Sequence, residues 1–167
     1  MSKKIVILLL VFVMAASLFA CAQTPTDDGD GKALNFKYND VVMAPGDKFD
    51  DISAKLGEPT SYYEAASCAF DGKDKIYTYG SLQISVSPMA GVDVIYMITL
   101  LDDALATPEG VRVGTERAAV LEAYGNGGVD KGTSLVYNSG KTDLVFLLRD
   151  GCVTSVQYRY VDAVING

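Results

Sequence analysis

Gly46-Asp-Lys-Phe-Asp-Asp-Ile-Ser-Ala-Lys-Leu-Gly57 lies on Gly114-Thr-Glu-Arg-Ala-Ala-Val-Leu-Glu-Ala-Tyr-Gly125 without a gap. Each block opens on glycine, continues with a cap candidate (Asp47 or Thr115) and closes on glycine eleven residues later. Within them Ile52 matches Val120 and Leu56 matches Tyr124, an i, i+4 pair on one helical face. Phe49 extends that stripe in the first block, and Arg117 holds the matching place in the second. A terminal glycine suits the left-handed position that stops a helix, and Pro59 bars continuation after the first. The spacing predicts two short helices, over 48–56 and 116–124.

Strand-like runs follow each block. In the first copy they fall at 75–79, 82–87 and 94–100, and in the second at 133–137, 144–149 and 153–160. Leu82, Ile84 and Val86 alternate with Gln83, Ser85 and Ser87, the period-2 pattern of a half-buried antiparallel strand. Leu144, Phe146 and Leu148 repeat it, and Asp150-Gly151 is a strong hairpin signal. Residues 102–109, with Pro108, join the copies. The predicted class is α+β: two tandem repeats, 34–105 and 106–167, each a helix plus an antiparallel meander. The helices are expected to pack on one face of the sheet.

Upstream, residues 1–20 read as an address rather than a fold. Lys3 and Lys4 precede an apolar run over 5–19, and Leu18-Phe19-Ala20-Cys21 places a small residue directly before a cysteine. That arrangement resembles a bacterial lipobox, which implies lipidation of Cys21 and cleavage before it. Acylated Cys21 would then hold the protein in the lipid bilayer on the extracytoplasmic side of the cell membrane. Without Lys3 and Lys4, twelve basic residues face 21 acidic ones, a net charge of −9 that does not favour anionic lipid heads. Residues 21–33 read as a flexible acidic linker, whose twelve residues after the cysteine reach roughly 20 Å. Asp28, Asp30 and Gly31 echo a calcium loop, but the register puts Thr26 first and Lys37 twelfth, where a bidentate Glu is needed. Gly29-Asp30-Gly31-Lys32 lacks the flanking residues of a phosphate loop.

The repeat itself carries a family resemblance. The glycine-bounded helix, the loop, the Tyr-containing strand and the inward-alternating hairpin resemble the repeat of the β-lactamase inhibitor proteins and of the BamE-type outer-membrane assembly lipoproteins. The run Tyr62-Tyr63-Glu64-Ala65-Ala66-Ser67-Cys68-Ala69-Phe70-Asp71-Gly72, with Asp74-Lys75-Ile76-Tyr77-Thr78-Tyr79, is similar to a group of bacterial lipoproteins. The likeness spans residues 42–160. It implies a concave sheet face that grips a partner protein; no inhibitory loop matches residue by residue, so no partner-binding residue is carried over.

Composition narrows the chemistry. The chain has 167 residues, enough for one ordinary domain or two small repeats sharing a core. Its lack of histidine removes Ser-His-Asp and Cys-His catalysis and His-ligated zinc. A net charge of −7 disfavours nucleic acid as a partner. Apart from Cys21, Cys68 and Cys152 form an even pair: either a disulfide joining the copies or two buried thiols. Tyr77, Tyr79, Tyr137 and Tyr158 fall in strands and read as core or half-buried packing. Tyr62, Tyr63 and Glu64 read as an exposed loop before the strands and are the candidate partner-binding residues. The acid pairs Asp50-Asp51, Asp71/Asp74 and Asp102-Asp103 carry no spacing that fixes a catalytic geometry, and Ser53 and Lys55 do not share a helix face. No catalytic residue, metal or cofactor is assigned. The expected function is a non-catalytic module binding an envelope protein or cell-wall ligand. The alternatives are a structural accessory of an envelope assembly or a small carboxylate- or Ser-based hydrolase.

Overall fold

The structure is a computed structural model that describes residues 33–161. Strands β1 (Phe36–Tyr38) and β2 (Val41–Met43) form a two-stranded hairpin turning on Asn39 and Asp40, both left-handed at φ 46° and 65°. Helix α1 (Asp50–Leu56) precedes β3 (Ser61–Ala66), β4 (Lys73–Tyr79), β5 (Leu82–Met89) and β6 (Val92–Leu100). Helix α2 (Arg117–Tyr124) precedes β7 (Val129–Asp130), β8 (Ser134–Ser139), β9 (Thr142–Arg149) and β10 (Cys152–Tyr160). The last eight strands make one antiparallel sheet in the order β3-β4-β5-β6-β10-β9-β8-β7. Two meanders meet at their final strands, with Val156 opposite Leu100 and Arg159 opposite Met97.

The backbone hydrogen bonds around the two helices recur in detail. The Gly46 N–H donates to the Ile95 carbonyl at 2.8 Å, and the Ile95 N–H to Asp47 O at 2.9 Å. In the other half, Gly114 N–H donates to Val153 O at 2.7 Å and Val153 N–H to Thr115 O at 2.9 Å. Directly after Ile95 and Val153 comes a β-bulge, so that Tyr96 and Thr154 fall out of register with β5 and β9. Gly57 and Gly125 end the helices at φ 78° and 75°, a conformation that side chains with a Cβ resist. Asp47 and Thr115 do not cap the helices. Their side chains instead accept the N–H three residues earlier, Ala44 at 2.8 Å and Arg112 at 3.1 Å, and each helix starts later than the spacing predicts.

The α+β expectation is overturned. The described residues are 49% strand and 12% helix, a mostly β protein. The helices have seven and eight residues, too short to form a layer, and each buries one side chain, Ile52 or Val120. The β1–β2 hairpin joins them on the core, its Phe36 and Met43 almost fully buried in the same cluster as Ile52 and Val120. Beneath them, Leu82, Ile84, Ile98, Leu100, Leu144, Phe146, Val156 and Tyr158 form the continuous floor of the core. The opposite sheet face carries Ile76, Ser85, Met97, Gln157 and Arg159, none of them fully buried.

Candidate functional site

Strand β3 is the free edge of the large sheet, and all six of its residues are exposed. Antiparallel pairing puts Tyr62 opposite Tyr77, Tyr63 opposite Ile76 and Glu64 opposite Lys75. Successive side chains alternate faces, so Tyr62 and Glu64 share the α1 side while Tyr63 points to the other. Tyr62 and Tyr63 remain 48% and 63% exposed, which is unusual for large aromatics in a strand.

On the α1 side three rings form a ladder. The Tyr62 ring lies 4.9 Å from Tyr77, and Tyr77 stacks on Phe49 at 4.3 Å and 29°. Tyr62 Oη donates to Glu64 Oε2 at 2.6 Å, and the Lys73 ammonium donates to the other oxygen of the same carboxylate. The Lys73 hydrogen bond, then that from Tyr62, holds Glu64 below the usual carboxylate range, while the Glu64 bond pushes the Tyr62 phenol up. Behind the ladder, Lys75 Nζ pairs with Asp93, which raises the lysine. A cleft of about 430 Å³ opens here between Phe49, Asp50, Glu58, Lys75, Tyr77 and Asp93.

The other half of the sheet lacks this ladder. Tyr77 and Tyr137 hold the same place, two residues before the pairs Tyr79–Leu82 and Ser139–Thr142 that close their hairpins. Register carries Gly128 opposite Tyr137, as Tyr62 stands opposite Tyr77. Arg117 takes the position of Phe49, donating its N–H to Gly151 as Phe49 does to Asp93, and its guanidinium pairs with Asp130. There Tyr137 packs instead on Tyr124 at 5.2 Å and Phe146 at 6.1 Å, so rings at the positions of Phe49 and Tyr62 are not demanded by the fold.

No protein-family model matches the sequence, and no curated protein matches it significantly. Among solved structures it is similar to an extracellular protein containing a SCP domain from Bacillus anthracis str. Ames. The identity is 14% and the TM-score 0.46, over 81% of this chain and 50% of that one. This chain thus spans half of that protein's length, and a likeness at that level carries no functional argument.

The sequence-predicted site residues are placed as follows. Tyr62, Tyr63 and Glu64 lie on an edge strand, not in a loop; pairing with β4 extends them, and tyrosine favours the pleated surface. Cys68 and Cys152 are both free. Cys68 sits in the β3–β4 turn, whereas Cys152 opens β10 at the opposite end of the sheet. The three strand spacings from β4 to β10 span roughly 14 Å, about twice the Cα separation a disulfide bridges. Cys21, the signal segment and the linker up to residue 32 lie outside the described residues. Asp102 serves a turn, accepting Ala104 N–H at 2.9 Å and Ser81 Oγ–H at 2.8 Å. Phe49 and Lys75 were not singled out as site residues, because only the paired register brings them to Tyr62. In the sequence Tyr77 reads as ordinary strand packing.

Proposed function

We propose that this protein is a lipid-anchored, extracytoplasmic, non-catalytic binding module that takes an extended segment of an envelope protein along β3. The observation that carries the reading is the free, wholly exposed β3 edge with an aromatic on each face. Edge strands normally deter pairing with lysines, prolines or bulges, and β3 has none of these. A partner strand added there would gain backbone hydrogen bonds, with Tyr62 and Tyr63 gripping alternate side chains. The opposite edge strand, β7, has two residues and offers no such length. Asp50 and Glu58 beside the ladder, and the chain's net negative charge, favour a segment carrying Lys or Arg. The anchor rests on the sequence around Cys21; among the described residues no helix is long and apolar enough to cross a membrane.

Site-specific photocrosslinking in intact envelopes tests this. A crosslinker at position 63 should give one discrete adduct that the same group at Val129, 59% exposed on the β7 edge, does not give. Tyr62→Ala should lower the affinity for the crosslinked segment about tenfold, the scale of an aromatic anchor. Equal adducts from both edges, or none from position 63, would overturn the reading. A second reading, a cell-wall glycan stacked on Tyr62, is favoured by the carboxylates and lysine flanking the ring ladder. It requires purified muropeptides to bind and Tyr62→Ala to abolish that binding while Tyr63→Ala leaves it intact.

A further inference from the structure

A second cleft, of about 340 Å³, lies on the sheet face away from α1, under the β3–β4 turn. Phe70, Ile76, Tyr96 and Met97 give it apolar walls, and Asp74 lines it with them. Adjacent residues of a regular strand point to opposite faces, yet Tyr96 and Met97 both line this cleft, because the bulge takes Tyr96 out of register. The roof is fixed by its own hydrogen bonds. Ser67 N–H donates to Gly72 O at 3.0 Å, and Ser67 Oγ accepts Ala69 N–H at 3.3 Å and Phe70 N–H at 3.2 Å.

Asp74 Oδ1 is shielded from solvent and accepts no hydrogen bond. The neighbouring Lys75 does not serve it, since its ammonium goes to Asp93. A shielded carboxylate oxygen without a donor is costly, and an incoming N–H would relieve that cost. The other half of the sheet has no counterpart. Its β7–β8 connection takes three residues, 131–133, Ser134 stands where Asp74 does, and Thr154 replaces Tyr96 at the bulge.

We propose that this cleft binds a small organic ammonium: a protonated amine bearing an apolar or aryl group. Its N–H donates to Asp74 Oδ1, and its body lies between Phe70, Ile76, Tyr96 and Met97. The two aromatic rings add attraction for the cation, and the cavity volume, at the small end of ligand sites, limits the guest to a compact molecule. The proposal does not rest on the β3-edge reading, although Asp74 and Ile76 pair with Ala65 and Tyr63 of that strand.

The test is an amide-resolved NMR titration of the folded protein with phenethylammonium and, separately, with the neutral isostere 2-phenylethanol. Phenethylammonium should shift the Ala69, Phe70, Ser85 and Met97 amides saturably, and the alcohol should bind at least tenfold more weakly. Asp74→Asn should bring the two probes to the same affinity, and Phe70→Ala, in the turn rather than the core, should weaken both. Equal affinity of the two probes for the unmodified protein, or no saturable shift with the amine, overturns the proposal without recourse to any variant.

Discussion

Gly128 packs so closely on Tyr137 that a Cβ at that position would lie 2.8 Å from the ring. In the other half, Tyr62 faces the equivalent Tyr77 across 4.9 Å. One fold position thus admits either backbone against a ring or ring against ring, and the two choices separate a structural residue from a surface one. Gly128→Ala forces Tyr137 to move and should cost about 1–3 kcal/mol, as overpacking does. Tyr62→Ala should cost under about 1 kcal/mol, because its side chain is half exposed. Urea unfolding of both variants reads the difference directly.

Lys75 and Asp93 form the least exposed of the ion pairs resolved among the described residues, with side chains 25% and 23% exposed. Removing one partner should cost about 1–2 kcal/mol, more than an open surface pair supplies. A double-mutant cycle with Lys75→Met and Asp93→Asn should show a favourable coupling. The Asp93 hydrogen bond raises the folded-state lysine above its ordinary 10.5. The stabilisation is therefore complete below pH 10.5 and is lost as pH climbs through the raised value. If the coupling were unchanged well above that pH, the pair would not be the source.

Burial raises Tyr124 and Tyr158 well above the ordinary phenol value of 10.0. Their folded forms resist ionisation, so stability is full below pH 10.0 and falls as pH rises beyond it toward the raised values. Tyrosinate absorbance from these two rings should therefore appear late, in a cooperative rise that coincides with loss of the far-ultraviolet β signal. A single smooth titration with the β signal intact would contradict the burial of these two phenols.

How much of this was readable from the chain depends on whether a strand has one buried face. Leu82, Ile84 and Val86 alternate because only one side of β5 meets the core, and Asp150-Gly151 turns left-handed at φ 51° and 80° between β9 and β10. Strand β3 shows no alternation, since neither of its faces is buried, so Tyr62 and Tyr63 read as loop. Strands β1 and β2 have three residues each, too few for a period to show. The helices were legible as elements but not as minor ones: their stripes of two or three apolar residues look alike whether they cover a sheet or merely touch it. The ladder was invisible for another reason. Phe49, Tyr62 and Tyr77 meet only through α1 docking and the β3–β4 register, neither of which local spacing encodes.

The thiols separate by exposure. Cys68 is exposed and Cys152 half-buried, both free. A thiol reagent should modify Cys68 in the folded protein well before Cys152, and reductant should leave the intact mass unchanged. A two-dalton rise on reduction, twice the roughly 1 Da of each added hydrogen, would mean a bridge that this sheet geometry forbids.

Amide hydrogen exchange across residues 61–66, with and without the segment captured from position 63, addresses the binding claim most directly. Pairing along β3 should slow exchange of its outward-facing amides at least tenfold, leave β7 unchanged and disappear in Tyr62→Ala/Tyr63→Ala. Unaltered exchange in β3 when the segment is saturating, or protection confined to other strands, would show that this edge is not where the partner sits.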